Sequence, residues 1–153
     1  MDLFIEQKVL QFKQPSGTSR GILHTKPSWI LRVPLLNGMT AQGECSVIPG
    51  LSPDFIDVPQ YEQVLSQLQV RIRAHWRIDE WLQKSIFQSE KWRHFTLEYR
   101  SYPSILFGLE TLVLDIQAGG SGILFDTSFT RKEATIPING LIWMGDESFM
   151  LRQ

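Results

Sequence analysis

Groups able to move a proton, hold a metal or attack an electrophile are few in this chain and widely spaced. The three histidines, His24, His75 and His94, lie far outside the short intervals of a zinc site, and the single cysteine, Cys45, adds no second thiolate. Carboxylates occur at Glu44, Asp54, Asp57, Glu110 and Asp115. Glu110 and Asp115 are five apart on a predicted helix and do not face one another, so no acid/base pair can be nominated. No nucleophile elbow, phosphate loop or kinase signature occurs. The run Gly119-Gly120-Ser121-Gly122 is not followed by Gly-Lys-Ser/Thr and sits after a helix, which suits a C-cap and domain junction. One cation stands apart. Arg20, among Ser and Gly in residues 15–21, either clamps a carboxylate in bidentate fashion or is an ordinary exposed arginine.

The elements that must carry these residues read in order. Leu3 to Phe12 alternates loosely as a strand, and Pro15 to Gly21 is a run of breakers, expected as a loop. Trp29 to Leu36 and Met39 to Val47 are two further strands, with Asn37-Gly38 suited to a two-residue hairpin turn. Pro34 removes a ladder donor, which predicts an edge strand or a bulge. The opening third is therefore a three-stranded antiparallel meander. Residues 43–53 form a Pro/Gly-punctuated exit from it.

Asp57, with Pro59 and Gln60 behind it, predicts a helix start, and Tyr61, Val64, Leu65, Leu68 and Ile72 share its apolar face. A second helix is expected from Asp79, with Trp81, Leu82, Ile86 and Phe87 inward. A third is expected from Pro103 to Ala118, with Ile105, Leu109, Leu112, Val113 and Ile116 on one face. Ala134 to Met144 is apolar at successive positions, the pattern of a strand covered on both faces in a parallel sheet. Asp146 then suits the N-cap of a helix barely begun. Such a βα unit needs neighbours that these residues do not supply.

Composition excludes several classes. The chain has 153 residues, 15 basic and 16 acidic, for a net charge of −1. No basic stripe exists to meet nucleic acid, and Arg71, Arg73, His75 and Arg77 read as a solvated helix face because Asp79 and Glu80 follow. A hydrophobic share of 42% is ordinary for a globular domain. Cys45, alone in a strand-like segment, reads as a small buried apolar side chain in a reducing compartment. There is neither a signal peptide pattern nor a run of roughly 18 apolar residues. The expectation is a cytoplasmic α+β protein without a membrane span.

Three stretches resemble the o-succinylbenzoate synthases of the enolase superfamily. Gly43-Glu44-Cys45-Ser46 through Pro49-Gly50-Leu51-Ser52 is similar to their turn after the third strand. Pro103-Ser104, Phe107-Gly108-Leu109-Glu110 and Leu114-Asp115-Ile116 are similar to their long helix. Ile136-Pro137-Ile138-Asn139-Gly140-Leu141 is similar to their first barrel strand. The resemblance implies an N-terminal α+β capping domain over residues 1–120, with 121–153 as the junction and first βα unit of an incomplete TIM-like barrel. It also implies a carbon-oxygen lyase of menaquinone biosynthesis, in which a lysine removes a proton α to a carboxylate and Mg²⁺ stabilises the enediolate. The family's lysines and carboxylate metal ligands lie on later barrel strands, so no catalytic or metal residue is expected here and the chain alone is expected to be inactive. What carries over is substrate covering: Ser19, Arg20 and Gly21 in one loop, Gly50 and Leu51 in another, and Asn139 and Leu141 at the barrel mouth. The implied partners are a small carboxylate substrate and a C-terminal barrel. Other caps of the superfamily (dipeptide epimerase, acylamino acid racemase, muconate lactonizing type) and a non-catalytic interaction module docking through residues 134–151 are the alternatives.

Overall fold

A computed structural model describes residues 1–18, 21–140 and 147–152. Three strands, β1 (Phe4–Thr18), β2 (Gly21–Pro34) and β3 (Thr40–Ser46), form an antiparallel sheet in the order β1-β2-β3, the meander expected. The segment expected as a loop is a correction: β1 continues to Thr18 and β2 already starts at Gly21. Pro15 is absorbed by a register shift, and Ser16, Gly17 and Thr18 pair beyond it. Between the pairs Gln11↔Thr25 and Ser16↔Leu23 lie four residues of β1, ending in Pro15, against His24 alone. Pro15 therefore falls where the ladder is already interrupted.

The Asn37-Gly38 turn also differs from expectation. The Leu35 amide donates to Met39 O at 2.8 Å, and the Gly38 amide donates to Leu35 O at 3.1 Å. Only Gly38, at φ +81°, is left-handed. That is a three-residue connection closed by a glycine bulge, not a two-residue turn. Pro34 was expected on an edge strand or at a bulge, yet β2 is the central strand and its register with β3 is unbroken at Pro34↔Thr40. Because Leu35 N points to β3, alternation turns the Pro34 nitrogen towards β1, whose pairing begins only at Phe4↔Arg32. Pro27 is tolerated by the mirror argument: its nitrogen faces β3, whose pairing stops at Ser28↔Ser46. Each proline sits where no strand lies on its nitrogen side.

Odd-numbered residues of the sheet face the helices, and Leu3, Trp29, Leu31, Val33, Ala41 and Cys45 are buried. Against them pack α1 (Val58–His75), through Tyr61, Leu65, Leu68 and Ile72, and the long α4 (Pro103–Gln117), which lies over β3. Asp57 caps α1 by accepting from the Gln60 amide at 2.8 Å, and all five expected residues of α4 are buried. The expected second helix is instead two short pieces, α2 (Ile78–Trp81) and a 3-10 turn at Ile86–Gln88. They are followed by α3 (Glu90–Leu97), which the sequence reading missed. Leu82, expected inward, is 52% exposed. Trp76, Trp81, Trp92 and Phe95 meet edge-on here, at 5.5–6.3 Å between rings. The basic run is the solvated face expected: Arg71 pairs with Glu98 and Arg77 with Asp79.

α4 ends in a glycine cap. The Gly120 amide donates to Asp115 O at 2.8 Å, with Gly119 and Gly120 at φ +71° and +75°. Beyond it the expectation of a strand over 134–144 is corrected for its described part. Residues 134–140 form no strand and are exposed, Ile136 at 56% and Ile138 at 85%. A strand needs a partner for its amides, and none of the described residues offers one. Residues 141–144 and Asp146 lie outside the described residues; a short helix, α5 (Glu147–Met150), follows.

Candidate functional site

The two loops expected to cover a substrate belong to one end of the sheet. β3 stops at Ser46 opposite Ser28, so residues 21–27 of β2 and their β1 partners overhang it, a reach of roughly 23 Å at the rise of a strand. From the same end β3 runs out into the turn carrying Gly50 and Leu51. The opposite end carries Asn37, whose side chain donates to Gly119 O at 3.0 Å. Gly21, at φ +131° in open space, starts β2, and the Thr18 hydroxyl donates to its carbonyl at 2.8 Å. Only glycine accepts that φ without strain. Ser19, Arg20 and Leu141 lie outside the described residues. Asn139 is exposed in a segment without helix or strand. Sheet topology thus puts Gly21's hairpin and the turn carrying Gly50 and Leu51 at the same end of the sheet, the hairpin reaching well beyond the turn, and no described element joins Asn139 to them.

The second loop is built tightly. The Leu51 and Ser52 amides both donate to Ile48 O, at 3.0 and 2.9 Å, and the Ile48 amide donates to Ser52 Oγ at 2.8 Å. Gly50, at φ +76°, makes the reversal possible. Val47 is fully buried on one side of the turn, and on the other Phe55 meets Trp29 at a tilt and Tyr61 edge-on. Leu51 is left outward at 42% exposure.

The residues that carried the family resemblance are joints between elements. Gly43 and Gly108 let β3 and α4 approach so closely that a Cβ on Gly43 would stand 1.9 Å from Gly108 O. Asp115, 4% exposed, accepts from the Gln42 amide and the Gly122 amide, each at 2.8 Å. It thereby caps an outward amide of edge strand β3 and ties the chain where it leaves α4. Ser104 meets Asp54, a contact between residues fifty apart that no periodicity reveals. Glu44 lies on the outer face, accepting from the Ser28 hydroxyl at 2.6 Å. Cys45 is fully buried, and burial, with the Asp54 and Glu44 charges behind it, pushes its thiol far up. The thiol stays protonated and inert, as its setting in a strand suggested.

Among the described residues no three His, Cys, Asp or Glu side chains gather to hold a metal. The described residues therefore do not fit the Mg²⁺ that the resemblance implies. None of the described helices is long and apolar enough to cross a membrane. What the site offers is shape: a glycine-hinged hairpin end and a braced apolar tip.

No family model matches the chain. It is 37% identical over 172 aligned positions to the o-succinylbenzoate synthase of Desulfotalea psychrophila, an alignment that takes in all of this chain and 45% of that protein. The crystal structure of MenC from the same organism has a TM-score of 0.72 at 32% identity, covering 99% of this chain and 44% of that one. A mandelate racemase/muconate lactonizing protein from Herpetosiphon aurantiacus, 16% identical, has a TM-score of 0.52 over 74% of this chain and 29% of its own; this likeness speaks for the fold alone. The chain spans less than half the length of the curated relative it matches. The resemblance read from the sequence is borne out over the whole chain, and the α+β fold is that of enolase-superfamily proteins.

Proposed function

We propose that this chain belongs to the o-succinylbenzoate synthase family of the enolase superfamily and that residues 1–120 are the cap of a carbon-oxygen lyase forming o-succinylbenzoate in menaquinone biosynthesis. Residues 121–153 begin a barrel whose remainder supplies the catalytic lysines and the Mg²⁺ ligands. The observation that carries this reading is 37% identity to an o-succinylbenzoate synthase along all of this chain and 45% of that protein. The cap's own work is to cover a small carboxylate substrate and keep water from it. Gly21 with Ser19 and Arg20 forms one cover, Gly50 and Leu51 the other, and Asn139 and Leu141 stand at the barrel mouth. Arg20 is the cation that meets a substrate carboxylate. The enzyme works in the cytoplasm.

The test begins with the gene. The reading frame after Gln153 is expected to continue into a strand bearing a Lys-x-Lys pair. Purified protein carrying that continuation should form o-succinylbenzoate when Mg²⁺ is supplied, and residues 1–153 alone should not. Turnover by residues 1–153 alone refutes the division of labour. Activity of the longer protein on dipeptides or acylamino acids instead would move the assignment to another member of the superfamily.

A further inference from the structure

Three residues past the tip of the second covering loop stands Asp54, only 7% exposed. A carboxylate so enclosed needs hydrogen bonds to offset its lost hydration. It accepts two from one residue: the Ser104 amide at 2.9 Å and the Ser104 hydroxyl at 2.5 Å, both on Oδ2. α4 starts at Pro103, and its N-cap residue Tyr102 makes no side-chain bond to the helix. Asp54 thus supplies from another segment the cap that α4 lacks.

The network reaches further. The Ser104 hydroxyl has one proton and gives it to Asp54, so Tyr61, 2.5 Å away, is the donor in the Tyr61–Ser104 bond. Burial holds the Tyr61 phenol protonated, as that role requires. Asp54 therefore locks the segment carrying Leu51 to the first turn of α4 and, through Ser104, to the first turn of α1. On the other side of the tip, Ser52 and Ile48 close the turn on itself.

We infer that Asp54 is a positioning residue: through Ser104 and Tyr61 it holds the Leu51 tip as a fixed wall over the substrate rather than a flapping lid. The inference rests on the reading that this turn covers substrate. A preformed wall avoids the ordering cost that a mobile one would charge against binding, so its loosening should act on KM more than on kcat.

The experiment uses the longest natural chain that contains these residues, compared with Asp54→Ala, Asp54→Asn and Ser104→Ala. Amide hydrogen exchange at Leu51 and Ser52 and the kinetics of o-succinylbenzoate formation are both read. Asp54→Ala is expected to speed exchange at both amides and raise KM, each about tenfold, with kcat within about twofold, the scale of one lost charge-assisted hydrogen bond. Asp54→Asn keeps an oxygen where Oδ2 stands and should restore both to within about threefold. If Asp54→Ala leaves the two amides at the wild-type rate, the brace is wrong. If exchange quickens while KM stays put, Asp54 is a helix cap only and the positioning role is overturned. Should wild-type protein form no o-succinylbenzoate, the functional reading fails by itself, and the exchange rates alone decide the brace. Where Asp54→Ala does not fold, Ser104→Ala takes its place; about threefold faster exchange supports the brace, and unchanged exchange overturns it.

Discussion

Gly108 shows how one residue's role can be legible as a motif and opaque as a mechanism. In the sequence it is a glycine inside an apolar helix, where alanine would be about 1 kcal/mol better by propensity. In the structure it touches β3: a Cβ there would meet Cys45 Sγ at 2.5 Å and the Cys45 amide nitrogen at 3.0 Å. Cys45 is itself fully buried and has no room to retreat. We expect Gly108→Ala to lose about 1–3 kcal/mol net, because overpacking outweighs propensity. Cys45→Ala in the same background should recover part of it, leaving a coupling of at least about 0.5 kcal/mol between the two positions. Urea midpoints at constant slope measure both, and a Gly108→Ala protein as stable as the parent would contradict the contact. The candidate site follows the same pattern. Arg20 by itself left a carboxylate clamp and an ordinary exposed arginine both open, and the resemblance added its neighbours and a task. Asp54 was visible merely as a carboxylate, because its partner lies fifty positions away.

Elements announced by local signals were read well, and those depending on distant partners were not. α1 carries its own start in Asp57, Pro59 and Gln60, and α4 begins at Pro103 and ends in glycines, so the start of α1 and both ends of α4 were predicted within a residue or two. The meander followed from alternation, but its long β1–β2 hairpin was hidden by Pro15 and Gly17, which disrupt strands in isolation; here a register shift accommodates Pro15, and Gly17 pairs with Ile22 beyond it. Trp81 and Phe87 continue a helical period across residues 82–85, which concealed a break. The missed signal was Ser89. Its hydroxyl accepts from the Trp92 amide at 3.1 Å while donating to Ile86 O at 2.7 Å, closing the 3-10 turn and opening α3 with one side chain. Ser89→Ala is expected to cost about 1–2 kcal/mol, at the upper side for a cap because two bonds are lost. Ser89→Asp keeps an acceptor for Trp92 but no donor for Ile86 O, so its loss should be smaller. Thermal melts followed by tryptophan absorbance would check the order; equal losses would mean that the cap bond is not what holds α3.

At the scale of the whole molecule, the body and the tail differ in kind. The continuous core from Leu3 to Ile116 is closed before the glycines are reached. Among the described residues beyond Gly120 none is buried. Yet that tail is not polar: Phe125 is 64% exposed, Phe129 51%, Ile138 85% and Leu151 79%. In the proposed reading, a barrel begun at residue 121 would cover these side chains. The body has its own finish, since Asp115 takes the Gly122 amide and Asn37 reaches Gly119 O. Truncation after Gly122 therefore removes exposed apolar area and, among the described residues, none that is buried. We expect residues 1–122 to unfold cooperatively with a free energy within about 0.5 kcal/mol of residues 1–153, and to bind less of the hydrophobic dye ANS, which reports exposed apolar surface. Adding the barrel in one chain should suppress dye binding as well. If truncation after Gly122 instead abolishes cooperative unfolding, the tail is part of the body's core, and the boundary proposed at residues 120–121 is wrong.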